Sequence, residues 1–259
     1  MKKYRITLDA GHFADYNPST VLKGYWESRR MWKLCEMLAE ELAKYGFEVN
    51  KTRSDEETDL DVVARGRAAK GSDLFISLHS NACDTESVDY VCVFGAYDDL
   101  NDSRELGGRL AAAVSDCMGC TGGYVKTRQG INGEYYGVLR GAREAGCPLY
   151  YIIEHSFHTN LRASKWLMAD SNLRLLARVE AAVVAAHFGV LFVAGQVKGD
   201  VNGNGVLDAR DVAMIKRAVL GTLTLSDEQL KTADIDEDGR ITAKDYAMAK
   251  RAFLGTYEL

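Results

Sequence analysis

Over the first 190 residues the apolar positions switch between two periods. An extended apolar run at 4–8 leads into a segment at about 25–45, where Trp26, Met31, Leu34, Cys35, Leu38 and Leu42 fall on one stripe of a 3.6-residue helix. Extended runs return near 47–52, at Asp73-Leu-Phe-Ile-Ser-Leu78 and at 90–95, and helical periodicity returns at 103–118. A continuous apolar run at 149–154 and an amphipathic stretch at 170–188 complete the region. Strands alternating with helices predict an α/β domain, a mostly parallel twisted sheet with helices on both faces.

Beyond residue 190 the pattern is a duplication. Asp200, Asn202, Asn204, Asp208 and Asp211 recur 34 residues later as Asp234, Asp236, Asp238, Thr242 and Asp245. Oxygen-bearing side chains thus occupy positions 1, 3, 5, 9 and 12 of a loop, and a glycine at position 6 (Gly205, Gly239) permits the sharp turn. Position 7 lends a backbone carbonyl, from Val206 and from Arg240. A cation of calcium's size takes about six to eight oxygens, which this spacing can supply. Position 12 is aspartate, where an EF-hand has a bidentate glutamate. Each loop runs into an amphipathic helix closed by glycine, since Lys216-Arg-Ala-Val-Leu-Gly221 returns as Lys250-Arg-Ala-Phe-Leu-Gly255. The stretch 195–199 is short and rich in breakers, so the entering helix of an EF-hand is expected to be missing from both copies.

The expectation is a small all-α module of two loop-helix repeats holding two structural calcium ions. A helical repeat array has no reason to place Asp, Asn and Gly at metal spacing twice, and two copies are too few to stack. The second loop carries four carboxylates (Asp234, Asp236, Asp238, Asp245) against three in the first (Asp200, Asp208, Asp211), which predicts tighter calcium at the second. The pattern resembles a dockerin. That resemblance implies docking onto a cohesin, through Ala209-Arg210, Ala243-Lys244 and the helix faces carrying Lys216-Arg217 and Lys250-Arg251.

At 259 residues, 47% apolar and 27% charged, the chain is long enough for one sizeable core plus a small appendage. The expected division is a domain over 1–190, a linker over 191–196 and the calcium module over 197–259. A formal net charge of -5 gives no basic field to attract nucleic acid. No apolar run reaches the roughly 18 residues that a membrane span needs. Cys35, Cys83, Cys92, Cys117, Cys120 and Cys147 show no paired framework, which points to a reducing or anaerobic setting. Cys117-Met-Gly-Cys120 is a lone C-x-x-C, read as two buried thiols rather than a zinc or redox site. Met1-Lys-Lys-Tyr-Arg5 runs directly into a strand and leaves no room for a signal peptide, so the expectation is either a removed signal or a native start at Met1.

Three polar clusters end apolar strands, where open α/β sheets bind ligands: Leu8-Asp-Ala-Gly-His12, Ser77-Leu-His-Ser-Asn81 and Ile152-Ile-Glu-His-Ser-Phe157. Glu27 opens the first long helix and can turn its carboxylate toward the same rim. Two histidines and one carboxylate are a ligand set for catalytic zinc, whose fourth position stays open to water. His12, Glu27 and His79 are the expected ligands of one zinc ion. With Thr52-Arg53, Asp55, Arg65 and Glu154-His-Ser-Phe-His-Thr-Asn160, these positions resemble the zinc-dependent N-acetylmuramoyl-L-alanine amidases across about residues 4–188. Phe13 departs from that family's usual second glycine after the histidine. The resemblance implies hydrolysis of the amide joining the lactyl group of N-acetylmuramic acid to L-alanine of the peptidoglycan stem peptide. Glu154 is the expected base, taking a proton from water and passing it to the leaving amine.

Side chains alternate along a strand, so His155 should point away from Glu154. His187, Arg53 and Arg65 read as structural, the arginines through ion pairs. Asn81, Tyr135, Tyr136, Arg140 and His158 are expected to contact substrate, with 132–141 read as a loop. Two alternatives stand beside the amidase. A zinc peptidase acting on peptide ends would want a second metal or a terminal-charge pocket, and no further cluster occupies the strand ends. A non-catalytic, cohesin-docked wall-binding protein would lack a ligand or the base, yet all four positions are filled. The setting is either a cytoplasmic phage endolysin released by a holin, whose module would bind wall or self-associate, or a secreted autolysin docked onto a cohesin.

Overall fold

The computed structural model describes residues 3–98, 103–131, 133–190, 197–203, 206–257 and 259. The chain divides into two compact units, Met1–His187 and Phe188–Leu259. In the first, β1 (Arg5–Ala10) is followed by α1 (Glu27–Lys44), β2 (Glu48–Lys51), α2 (Val62–Arg67), β3 (Leu74–Asn81), β4 (Val91–Phe94), α3 (Ser103–Met118) and β5 (Gly123–Lys126). A small hairpin, β6 (Gln129–Gly130) and β7 (Gly133–Glu134), precedes α4 (Gly137–Glu144), β8 (Leu149–Phe157), α5 (Leu161–Met168) and α6 (Asp170–His187).

Six strands form one sheet in the order β2-β1-β3-β8-β4-β5. Neighbours are parallel except where β4 runs antiparallel to β8. The α/β expectation is met, and the two longest apolar runs, β3 and β8, lie side by side at the centre. Alternation along β8 sorts the helices. Tyr151 donates its hydroxyl to Ser103 O on α3 and His155 meets Glu180 on α6, so odd positions face those helices, with α1 packed on α6. Even positions Tyr150 and Ile152 join Phe75, Val138, Leu139 and Ala142 in a cluster under α4, which α2 covers. The Glu154 side chain shares this second face.

The α2–α4 crossing is backbone against backbone. A Cβ on Gly141 would lie 2.1 Å from Val63 O, and one on Gly66 would lie 2.0 Å from Val138 O. Gly141→Ala is therefore expected to pry the helices apart and destabilise the first unit by about 1–3 kcal/mol. Thermal unfolding of the full chain reads this out, and an unchanged first transition would mean that the crossing tolerates a methyl group. Gly137 and Gly141, both packed against α2, explain why 132–141 reads as a loop in sequence although α4 begins at Gly137. Glycine is a poor helix former, and here the packing selects it. The helices α2 and α5, the strand β5 and the β6–β7 hairpin are likewise additions to the predicted elements.

In the second unit, α7 (Ala209–Val219), α8 (Asp227–Ala233) and α9 (Ala243–Phe253) surround Val201, Ile215, Leu225, Ala233, Ile235 and Ala249. The duplication shows in this core: Val201 is the repeat equivalent of Ile235 and Ile215 of Ala249, and Leu207 and Ile241, packed against it, are equivalents too. Both exit helices close as expected, with Gly221 and Gly255 at φ 69 in the left-handed region. The entering helix is absent from the first copy among the described residues, but α8 leads directly into Asp234 and corrects the expectation for the second. Its signal was Ser226-Asp-Glu-Gln229, a reciprocal capping box. The expected linker at 191–196, together with Asn132, Asn204 and Gly205, lies outside the described residues. No helix among the described residues is long and apolar enough to cross a membrane.

Candidate active site

His79 on β3 and Glu154 on β8 are register partners on parallel strands, so both project from the same face of the sheet. Past the end of β1, the chain turns through His12 (φ 60), Ala14 (φ 44) and Asn17 (φ 52), three non-glycine residues in the left-handed region. Two arginines hold that turn. Ala10 O accepts from Arg53 Nη2 at 3.1 Å and Arg65 Nη1 at 3.2 Å, and His12 O accepts from Arg65 Nη1 at 3.3 Å. Arg65 also lies 3.9 Å from Asp9 and 3.5 Å from Asp59. Both arginines act chiefly by binding the carbonyls that aim His12 and less through the expected ion pairs, and Arg65 also lines the cleft beside His12.

Glu27, in the first turn of α1, is 1% exposed. Its Oε1 accepts from Ser80 N at 3.0 Å and lies 2.9 Å from His79 Nδ1. Its Oε2 lies 3.3 Å from His12 Nε2 and accepts from Asn17 Nδ2 at 2.7 Å. The ligand atoms of His12, Glu27 and His79 all lie within 4.8 Å of one another. Donors bonded to a tetrahedral zinc sit about 3.4 Å apart, so the three side chains fit such an ion. Burial would raise the Glu27 carboxyl, but the hydrogen bonds and charges of His12 and His79 hold it well below the usual range. Burial likewise lowers His79, and Glu27 outweighs it, raising the imidazole to about 9. A metal at this point would displace that proton.

Asn17 is a site residue that the sequence reading missed. Besides bonding Glu27, its amide nitrogen lies 3.0 Å from His12 Nε2. Asparagine is among the few residues that tolerate its left-handed backbone, and this is the only local signal. Gly11 matters for space: a Cβ there would lie 2.4 Å from His79 Cε1 and 2.6 Å from Nδ1. Gly11→Ala should push the imidazole off Glu27 and weaken metal affinity by about 10- to 100-fold, measured by competition with a chromogenic chelator. Unaltered affinity would show that His79 has another seat.

Glu154 is half-buried in a cleft of about 440 Å³ that it lines with His12, His79, Asp9, Ser77 and Tyr136. Burial is the main influence on its carboxyl and pushes it up to about 7, with the Glu27 charge adding to this and the His79 charge opposing it. His155 points away, as alternation required. Its Nδ1 donates to His79 O at 2.8 Å and its Nε2 lies 2.6 Å from Glu180 Oε1, both side chains fully buried. A buried pair that no sequence pattern announced thus supports the strand carrying His79.

Of the expected substrate contacts, Tyr136 lines the cleft, while Tyr135 and Arg140 line a second cavity of about 720 Å³. His158 is buried outside the cleft lining. Its Nδ1 donates to Ser80 O at 2.8 Å and lies 3.9 Å from Glu27 Oε2, and its ring stacks on Tyr25. The Tyr25 hydroxyl bonds Ser80 Oγ at 2.8 Å, completing a layer beneath Glu27. Asn81 also lies outside the cleft lining, its Oδ1 accepting from Ala82 N at 2.8 Å. His187 ends α6.

The two repeated acidic loops are built by their own carboxylates. In the first, Asp200 Oδ1 accepts from Gly203 N at 2.9 Å, and Asp211 accepts from Asn202 N at 2.9 Å and Asp208 N at 2.8 Å. Burial chiefly, with the charges of Asp200 and Asp208, raises Asp211 to about 6. In the second, Asp234 accepts from Asp238 N and Gly239 N, Asp238 from Arg240 N at 2.9 Å, and Asp245 from Ile235 N and Thr242 N, both at 2.8 Å. Asp234, Asp236 and Asp245 bring ligand atoms within 4.8 Å of one another. Positions 9 and 12 also start the exit helices: Asp208 with Asp211 and Thr242 with Asp245 form the capping boxes of α7 and α9.

The fold of the first unit is the α/β amidase fold. The N-acetylmuramoyl-L-alanine amidase from Clostridium difficile 630 matches with a TM-score of 0.63 at 18% identity, covering 72% of this chain and 97% of that one. The catalytic domain of CwlV, from Paenibacillus polymyxa var. colistinus, matches at 0.61 and 18%, covering 72% and 99%. An N-acetylmuramoyl-L-alanine amidase of Nostoc punctiforme matches at 0.59 and 19%, covering 73% and 98%. At such identities the likeness shows the fold alone. Sequence shows the family: the N-acetylmuramoyl-L-alanine amidase profile matches residues 6–185, and the chain belongs to that family. A dockerin type I domain matches residues 198–254. No curated protein sequence matches the chain.

Proposed function

We propose that the protein is a zinc hydrolase that cuts the amide between N-acetylmuramic acid and L-alanine in peptidoglycan and so lyses cell wall, and that its dockerin binds two calcium ions and attaches it to a cohesin. The observation that carries the reading is the convergence of His12, Glu27 and His79 beside Glu154. Zinc, when bound, lowers the pKa of water toward neutrality and polarises the scissile carbonyl. Glu154 in its ionised form accepts the water proton as the oxygen attacks the carbonyl carbon, then returns it to the amine nitrogen of L-alanine as the C–N bond breaks. Ser80 N and the Tyr25–Ser80–His158 layer keep Glu27 aimed at the two imidazoles.

The test is digestion of purified peptidoglycan with the full chain. New L-alanine amino termini should appear, disappear with a zinc chelator and return with added zinc; products bearing new reducing sugar ends or other amino termini would reject the reading. Calcium-dependent capture by cohesin modules tests the attachment, and its failure would leave wall binding or self-association as the module's role. Action on cell wall is common to an endolysin and a secreted autolysin. Holin genes or scaffold genes beside the coding sequence separate the two.

A further inference from the structure

The cavity of about 720 Å³ is lined by none of His12, Glu27, His79 and Glu154. Its walls are the β6–β7 hairpin and the start of α4, and its charged lining is Arg128, Glu134 and Arg140. Glu134 is turned inward and is 3% exposed, its Oε1 accepting from Tyr97 N at 3.1 Å and Tyr150 Oη at 2.8 Å. The two arginines form no ion pair among the described residues. Arg128 is exposed, its guanidinium stacked over the Tyr135 ring at 3.6 Å. Arg140 is half-buried and gives one N–H to Glu134 O at 3.3 Å. A guanidinium has five N–H donors in a planar fork.

This cavity adjoins the hydrolytic cleft. Tyr136 lines the cleft, and its ring meets Tyr135 edge-on at 5.1 Å. Gly137 lines the cleft too, and Arg140, one turn along α4, lines the second cavity. A substrate held at Glu154 can therefore extend past Tyr136 toward the arginines.

We propose that Arg128 and Arg140 form an anionic subsite that takes a carboxylate of the stem peptide beyond the scissile amide, so that the enzyme selects acidic over amidated stem peptides. The inference rests on the amidase reading above. In the substrate of that reading the muramic carboxyl is already consumed in the scissile amide, so negative charge near the cut belongs to the peptide and not to the glycan. Guanidinium forks pair with carboxylates bidentately, and a stacked tyrosine keeps the Arg128 plane fixed before the ligand arrives.

The experiment uses the full chain and two probes, N-acetylmuramoyl-L-alanyl-γ-D-glutamyl-L-alaninamide, whose single carboxylate is the glutamyl α-carboxyl, and the same compound with that carboxylate amidated. Both equilibrium binding and hydrolysis are measured. The wild type should favour the acid, and Arg128→Gln should raise its Kd and KM by roughly 10- to 100-fold with kcat little changed and the amide unaffected. Arg140→Gln should act in the same direction, and Arg128→Lys should recover part of the loss. Equal binding of acid and amide by the wild type, or equal effects of Arg128→Gln on both, overturns the subsite while hydrolysis still supports the amidase. Arginine-dependent preference for the acid without hydrolysis upholds the subsite and rejects the amidase reading.

Discussion

Glu154→Gln is expected to lower kcat by roughly 100- to 10,000-fold, with KM and bound metal nearly unchanged. The substitution keeps the size of the side chain and removes its proton-accepting charge. Glu154 stands beside His79 in the sheet but outside the cluster of three ligand-capable side chains, so metal content should survive. The wild-type pH profile provides an independent check. Burial raises the Glu154 carboxyl to about 7. A base works only when ionised, so activity should fall as pH drops through that value, and the variant's residual activity should lose this acidic limb. Elemental analysis separates loss of metal from loss of the base. A Gln variant with near-normal turnover would remove Glu154 from the mechanism.

Chelating calcium should unfold the second unit and leave the first unit's unfolding transition in place. The second unit has a small core, and carboxylates such as Asp211 crowd beside other acids until burial and like charge raise it to about 6. A divalent cation relieves that crowding. At a calcium concentration about 1,000 times Kd, each site contributes about 4 kcal/mol, comparable with the roughly 3–5 kcal/mol that a core this small supplies. Calorimetry of the full chain, with and without chelator, should show one transition lost or moved far down and the other constant. Asp245→Ala should have part of the same effect in saturating calcium, because it removes a proposed ligand and the carboxylate that bonds Ile235 N and Thr242 N at the start of α9. A second-unit transition indifferent to calcium would exclude the metal-loop role of Asp200, Asp211, Asp234 and Asp245.

Much of this protein is written in local spacing. The duplicated acidic loops and their exit helices could be read position by position, because the repeated carboxylates, the turn glycine and the exit helix lie within a few residues of one another. The strands β1, β3 and β8 and the helices α1, α3 and α6 follow from period alone, since each is long enough to bury one continuous face. His12, Glu27, His79 and Glu154 were conspicuous for the same reason, as each stands at the end of such an element. The helix α4 was not legible, because the glycines that let it cross α2 weaken its own helical signal.

The remainder arises from which distant segments become neighbours. Adjacency of β3 and β8 aligns His79 with Glu154, and the turn after β1 brings Asn17 to Glu27. Arg53 and Arg65 became holders of the His12 turn, His155 paired with Glu180, and Arg128 came to lie on Tyr135 next to Arg140. None of these contacts has a periodic signature, because hydrogen bonds between side chains depend on distance in space, and sequence spacing fixes that distance only within a single turn, helix or strand.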